Sequence, residues 1–229
     1  MKKILAIVPA RGGSLSLKNK NIKLFCGKPL IYYAIKNALM SKYIYKVVVS
    51  TDSKKIAEIA LKYGAEVPFF RPKKLSDNKA KIIDAFKFTI KKLKKEYDTN
   101  HFISLAPTSP LTEVEDINRS IELYFRKKAK TLISVAKNTK PLEWYLEKKK
   151  NNKITPFINK TFKAHRQDTK QLYIPNGAIY IFNSNHLIKN KTYLNNSTYA
   201  YVMPKVKSID IDDKIDFQIA EDFYRKKVR

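Results

Sequence analysis

Cysteine is nearly missing from this chain: Cys26 stands alone among 229 residues. A single thiol closes no internal disulfide, which excludes the cross-linked secreted scaffolds and fits a reducing, cytoplasmic setting. Long apolar runs are missing too. None reaches the roughly 18 residues that a membrane span needs, and the run Ile4–Ala10 is too short for a secretory leader. Acidic residues are scarce, 20 against 47 basic ones, for a formal charge of +27. Such a surplus fits nucleic-acid binding. The lysines, however, are spread along the whole chain, and no helix-turn-helix, zinc-knuckle or RNA-binding pattern accompanies them. The surplus therefore reads as solvated faces and a field that attracts anionic substrates. Neither a nucleic acid nor a membrane is expected as a partner. Arginine is also rare, seven of the 47 basic residues. Where lysine is the default cation, a retained arginine points to a need for the planar, forked guanidinium. Arg11, Arg71 and Arg166 fall in the chemistry-bearing segments below. Arg119, Arg126, Arg225 and Arg229 read as helix-surface or terminal residues.

What the chain does contain is an alternation of strand and helix patterns. Ile4–Ala10 is continuously apolar, as a strand buried on both faces requires. Pro29 opens a helix to about Ser41, and Lys46–Ser50 is the next strand. Thr51-Asp52-Ser53 offers a cap for a helix over Ile56–Tyr63, ended by Gly64. Glu66–Phe70 reads as a third strand and Ile82–Tyr97 as a helix. His101–Leu105, a helix over Asp116–Lys127 and a strand over Thr131–Ala136 continue the rhythm. These alternations predict a mostly parallel, Rossmann-like α/β sheet in a single domain, 1–229. The rhythm breaks over 138–175, which is polar, lysine-rich and irregular. A segment of that length predicts an arm, lid or interface. Asn176–Asn183 and Tyr199–Met203 return to strand character, and Ile215–Lys227 closes the chain as a helix.

Five segments carry candidate chemistry. The first strand runs into Arg11-Gly12-Gly13-Ser14 and then Lys18-Asn19-Lys20-Asn21. Ligands sit outside the carboxyl ends of strands in open α/β sheets. Bare glycine backbone can approach phosphate there, Arg11 can grip it with two bonds, and Lys20 adds a point charge. An ordinary glycine turn with solvated lysines is the plainer alternative. Arg71 follows the third strand, either as a ligand to base or phosphate or as a strand-end charge. Ala106-Pro107-Thr108-Ser109-Pro110 follows the fourth, its hydroxyls suited to a helix cap or a ligand. Arg166-Gln167-Asp168, ahead of Asn176-Gly177-Ala178-Ile179-Tyr180, suits a carboxylate with hydroxyls, or else an exposed bridge to Asp168. Last, Ser208-Ile209-Asp210-Ile211-Asp212-Asp213 sets three carboxylates in four positions. Extended, it turns Asp210 and Asp212 to one face, where they suit a hard divalent cation carrying triphosphate. Asp213 reads as the cap of the closing helix.

Taken in order, ARGGS, KNKNI, VSTDS, the Arg-Pro loop, PTSPL, RQD, NGAIY and SIDID resemble the acylneuraminate (CMP-sialic acid) cytidylyltransferase family. The resemblance implies a three-layer α/β/α nucleotidyltransferase fold and a homodimer joined through an arm at 138–175. It implies CTP held by Arg11, Gly12, Gly13, Ser14, Lys20 and Asn21, with Arg71 and Asp77 near the nucleotide. It implies an acidic nine-carbon sugar near Arg166, Gln167, Asn176 and Tyr180, the first two reaching a neighbouring subunit's site. Magnesium would sit on Asp210 and Asp212, and Arg11, Lys20, Asp210 and Asp212 would carry catalysis. The sequence departs from the family at Leu15-Ser16, in place of Lys-Gly, at Ala106, in place of Gln, and at Thr112, in place of Arg. The loss at 106 bears on sugar recognition and makes legionaminate or pseudaminate a substrate candidate beside N-acetylneuraminate. The alternatives are a Kdo-type or other sugar nucleotidyltransferase, a metal-dependent glycosyltransferase drawn from Asp210-x-Asp212, and a basic nucleic-acid-binding protein. His101, His165 and His186 read as structural or solvated.

Overall fold

The computed structural model describes residues 3–13, 16–77, 79–158 and 170–228. The first half contains β1 (Ile4–Pro9), a hairpin of β2 (Leu24–Phe25) and β3 (Lys28–Pro29), α1 (Leu30–Met40), β4 (Ile44–Ser50), α2 (Lys54–Lys62) and α3 (Ile82–Leu93). Then come β5 (His101–Leu105), α4 (Val114–Arg126), β6 (Thr131–Lys137), β7 (Leu146–Lys148) and β8 (Ile154–Pro156). The chain closes with β9 (Tyr173–Asn183), α5 (Ser184–Lys189), β10 (Thr198–Met203) and α6 (Lys214–Val228).

One six-stranded sheet in the order β10-β6-β9-β5-β1-β4 organises the molecule. Only β9 runs against its neighbours, pairing antiparallel with β5 and β6; the other pairings are parallel. Alternate residues of β1 serve opposite layers, because side chains change face at every step of a strand. Ile4, Ala6 and Val8 join Ile31 and Ile35 of α1, Ile56 of α2 and Ile117 and Ile121 of α4. Leu5 and Ile7 join Ile83, Phe86 and Ile90 of α3 and Leu187 of α5 on the other face. The mostly parallel, three-layer expectation is met, and it explains why β1 had to be apolar throughout.

A third apolar cluster positions the site. Phe25 of the small hairpin is fully buried, with ring centroids 5.1 Å from Tyr33 of α1, 5.6 Å from Phe217 and 5.6 Å from Tyr224 of α6. Leu17, from the loop after β1, and Ile211, from the acidic segment before α6, belong to the same cluster. Apolar packing therefore fastens the last helix beside the first loop.

Three local expectations change. Glu66–Phe70 forms no continuous strand: it bridges the sheet only at Val48–Glu66 and Thr51–Phe70. Pro68 lies between, and a residue without an N–H cannot sustain a ladder. The helix expected to Tyr97 ends at Leu93, followed by turns in which Glu96 and Tyr97 both donate to the Leu93 carbonyl. Within 138–175, β7 and β8 form a small hairpin, turned by Asn151 and Asn152 with φ of 62° and 60°. Residues 173–175 belong to β9, in the main sheet.

Phe25→Ala should cost about 3–5 kcal/mol, the usual range for truncating a fully buried aromatic. A urea denaturation midpoint that fell by less than the equivalent of about 1 kcal/mol, at unchanged slope, would show that the third cluster does not hold α6.

Candidate active site

A cleft of 470 Å³ opens at the carboxyl end of β1 and β5, where the fold class puts ligands. Arg11, Lys20, Asn21, Arg71, Asp77 and Asp212, all singled out from sequence, line it together. Lys20 makes the join. Its Nζ donates to the Ile211 carbonyl at 2.7 Å and to Asp212 Oδ1 at 3.0 Å. Ser16 donates its hydroxyl to the Asp212 carbonyl, a second tie across the same gap. Asn21, buried, donates Nδ2 to the Arg11 carbonyl at 2.9 Å and so fixes the loop from within. Arg11 donates across the cleft to the Asp77 carbonyl at 2.9 Å. Asp77 contributes that carbonyl, while its carboxylate accepts the Lys79 N–H in a local turn.

The two glycines differ in what they do. Gly13 lines the cleft, and a side chain there would meet nothing within 4 Å, so its bareness leaves open space. Gly12 packs against α2's cap: an added Cβ would lie 3.0 Å from that of Ser53. Its N–H donates to Asp52 Oδ1 at 2.8 Å. Asp52 is a residue that sequence reading took for part of a helix cap. Ser53 alone supplies the cap, accepting the Ile56 N–H, and Asp52 turns to the loop. Asp52 also faces Arg71, which is 5% exposed and donates Nε to Ser76 Oγ at 2.9 Å. Burial pulls the Arg71 pKa down and the Asp52 charge opposes this, while Arg11 acts in the same sense as burial. A buried guanidinium is more than the strand-end charge that the bare segment allowed.

The acidic segment keeps its expected alternation in burial. Ile211 is fully buried in the third cluster, and Asp210 and Asp212 both point outward. The Ile211 N–H donates to the Thr108 carbonyl at 2.8 Å, which seats the segment on the loop after β5. Asp213 caps α6, its Oδ1 accepting from Ile215 N and Asp216 N. Asp210 is set in a recess of the protein that raises its pKa above the ordinary carboxylate value. Asp212 and Asp216 push the same way, while a hydrogen bond from Thr108 and the charge of Lys20 oppose the rise.

Asp210 faces a second pocket, 510 Å³, together with Asn176, Gly177 and Tyr180. Gly177 has φ of +74°, and a Cβ there would come 3.2 Å from Asp210 Oδ2. Glycine is thus required twice over, by conformation and by the approach of the carboxylate. Asn176 is buried and its amide is engaged inside the protein. Oδ1 accepts from Ser134 Oγ at 2.5 Å and Nδ2 donates to Ser208 Oγ at 2.8 Å. Tyr180 stacks on Phe182 and meets Tyr193 edge-on, and burial pushes its hydroxyl pKa well up. Ser14, Arg166 and Gln167 lie outside the described residues. Among those described, no group of three or more His, Cys, Asp or Glu side chains converges as a metal cage. His101 Nδ1 meets the Tyr124 hydroxyl at 2.9 Å, away from both pockets, in keeping with a structural role.

The chain is 36% identical over 228 residues to the N-acylneuraminate cytidylyltransferase of Escherichia coli O18:K1:H7, covering 99% of this chain and 53% of that protein. It therefore spans about half the length of that curated relative. It is 34% identical over 226 residues to the pseudaminic acid cytidylyltransferase of Campylobacter jejuni serotype O:23/36, covering 97% of each. In fold it is similar to a CMP:2-keto-3-deoxy-manno-octonic acid synthetase solved with CTP, at a TM-score of 0.74 and 13% identity, over 99% of this chain and 100% of that one. The family model described as cytidylyltransferase matches residues 5–228, and the chain belongs to that family.

Proposed function

We propose that this chain transfers CMP from CTP to the anomeric hydroxyl of a sialic-acid-like nine-carbon 2-keto acid, releasing pyrophosphate. The observation that carries the reading is the meeting of Arg11, Lys20 and Asp212 in one cleft, with Asp210 turned to a second pocket next door. The first pocket suits a triphosphate: Arg11 and Lys20 supply charge at its mouth, and Gly13 leaves room for backbone approach. The second suits the sugar, between Asp210, Tyr180 and the Gly177 turn. The relatives' names support N-acetylneuraminate or a pseudaminate or legionaminate relative as the acceptor.

The reaction joins the sugar oxygen to the α-phosphorus as the bond to the β-phosphate oxygen breaks; the hydroxyl proton is lost and pyrophosphate leaves. Little covalent work falls to the protein, so positioning and charge neutralisation dominate. Arg11 and Lys20 would stabilise the charge growing on the phosphates. Asp210 and Asp212 fit a hard divalent cation. Asp212 lines the first cleft and Asp210 the adjoining pocket; the Asp210 pKa is raised first by burial and then by the charges of Asp212 and Asp216, and a bound cation would favour its ionised form. Bound magnesium would supply further neutralisation of phosphate charge.

The homodimer belongs to the same proposal. Leu146, Ile154 and Phe157 at the hairpin, with Tyr173 and Ile174 at the start of β9, are all exposed apolar residues. An apolar group of this kind on a charged surface favours a protein interface. The arm over 138–175 would supply it, and Arg166 and Gln167 would reach the partner's sugar pocket. Among the described residues no helix is long and apolar enough to cross a membrane; a cytoplasmic location is part of the proposal.

Pyrophosphate release should require CTP, a nine-carbon acidic sugar and magnesium. Preference for Kdo, or for another nucleotide, would overturn the substrate assignment. Asp212→Asn should lower kcat about 10²-fold or more. Its melting temperature should barely move, because Asp212 is 77% exposed and its pair with Lys20 is weakly stabilising. Near-parental metal-dependent turnover would remove Asp212 from the metal site.

Asp210→Asn should separate stability from function. Its raised pKa means that the native chain binds this proton more tightly than the unfolded chain does. Ionisation at Asp210 therefore costs stability as pH rises above the ordinary aspartate value of about 3.9. Without metal, the Asn variant should melt higher than the parent at neutral pH, the gap closing below about pH 4, while turnover collapses. A variant melting lower at pH 7 and level at pH 4 would reverse the sign and refute the electrostatic account.

A further inference from the structure

We propose that Lys207 is a positioning residue, holding the Asp210–Asp212 segment in register by bridging it to the head of α4. The proposal rests on the cytidylyltransferase reading above. Lys207 lies three residues before Asp210, in a single 3-10 turn that joins β10 to the acidic segment. Its Nζ donates to Glu113 Oε2 and to Asp116 Oδ2, both at 2.9 Å. Asp116 is only 6% exposed as a side chain. Its carboxylate accepts the Glu113 N–H at 3.0 Å and the Tyr201 hydroxyl at 3.3 Å. A buried carboxylate needs a compensating charge as well as hydrogen bonds, and Lys207 provides it. Glu113 also pairs with Lys227 of α6. The carboxylates at the head of α4 therefore tie down the turn before the acidic segment through Lys207 and the far end of α6 through Lys227.

This clamp repeats a registration made elsewhere. The head of α4 directly follows the loop through Thr108, whose carbonyl accepts the Ile211 N–H and which hydrogen-bonds Asp210. Loop and segment are thus tied once at the site and once through Lys207. Lys207, Glu113 and Asp116 line neither the 470 Å³ cleft nor the 510 Å³ pocket. Their contribution is to geometry, since they do not touch either pocket. Three residues make a short lever, so a shift at Lys207 passes to the Asp210 carboxylate. Displacements of about 1 Å cost on the order of 10²-fold when catalysis is positional.

The test compares Lys207→Met and Lys207→Arg with the parent by steady-state pyrophosphate release, titrating CTP and magnesium separately, alongside thermal melts. Lys207→Met should lower kcat by about 10- to 100-fold. It should also raise the magnesium concentration for half-maximal rate and change KM for CTP less than kcat, because the Arg11 and Lys20 side chains are retained. Lys207→Arg, which can still span both carboxylates, should recover most of the rate. Lys46→Met is the control: it removes the Lys46–Glu66 bridge, exposed on both sides, and should keep full turnover. Parental kcat and magnesium dependence in Lys207→Met would overturn the proposal. A loss wholly accounted for by the unfolded fraction, or one that arginine does not restore, would do the same. If Lys207→Met does not fold, Glu113→Gln takes its place, and an unchanged magnesium dependence there is equally fatal. A parent without CTP-dependent pyrophosphate release on any nine-carbon acid overturns the catalytic reading. A parent that turns over beside an unaffected Lys207→Met overturns the positioning role alone.

Discussion

The candidate site depends on one contact between distant parts of the chain: the Lys20 ammonium on the Ile211 carbonyl and the Asp212 carboxylate. Those residues are about 190 positions apart, and nothing local brings them together. Apolar packing makes the meeting possible. Leu17 sits three residues before Lys20 and Ile211 one residue before Asp212, and both are buried in the cluster around Phe25. The polar contact is weak by itself, with Asp212 mostly in solvent. The cluster positions it, and the ammonium and carboxylate then face the same cleft. Apolar burial and exposed charge are divided between neighbouring residues of one segment.

The same division sets carboxylates into the cleft of a chain of charge +27. Asp212, set among Lys20, Arg11 and Arg71, makes the cleft mixed in sign, while Asp210 faces the adjoining pocket, its pKa raised first by burial and further by the Asp212 charge. Positive charge brought close would favour the ionised form of both acids. Arg71 shows the complementary strain: buried, with its pKa pulled down, and held by Ser76 and the field of Asp52.

Much of this was legible in the sequence because it follows from short periods. Strict apolarity in Ile4–Val8 announced a strand covered on both faces. The alternation Asp210-Ile211-Asp212 announced two acids out and one isoleucine in. What the sequence hid depends on distant partners. Asp52 looked like a cap, since only Gly12, 40 residues away, shows that the carboxylate turns elsewhere. The motif around Asn176 does not show that its amide bonds Ser134 and Ser208, 42 and 32 residues distant. Lys207 was one lysine among many until its two carboxylates were found beside it. Pro68 could have warned against a third strand, because a missing N–H is visible in the residue itself.

The Asn176 network also shows why the sheet is irregular where it is. The pairing of β6 with β9 shifts register between Ile133 and Val135, leaving Ser134 out of the ladder. Freed from the regular pattern, the Ser134 hydroxyl donates to Asn176 Oδ1 and accepts the Ile179 N–H at 2.8 Å. Across the same irregularity Gly177 takes its positive φ and admits the Asp210 carboxylate. A regular β9 would carry a side chain into the space that Asp210 occupies. It would also turn Asn176 away from Ser208, which tethers the acidic segment. The bulge is therefore the sheet's contribution to the site: one interrupted pair of strands makes room for a carboxylate and anchors the segment that bears it.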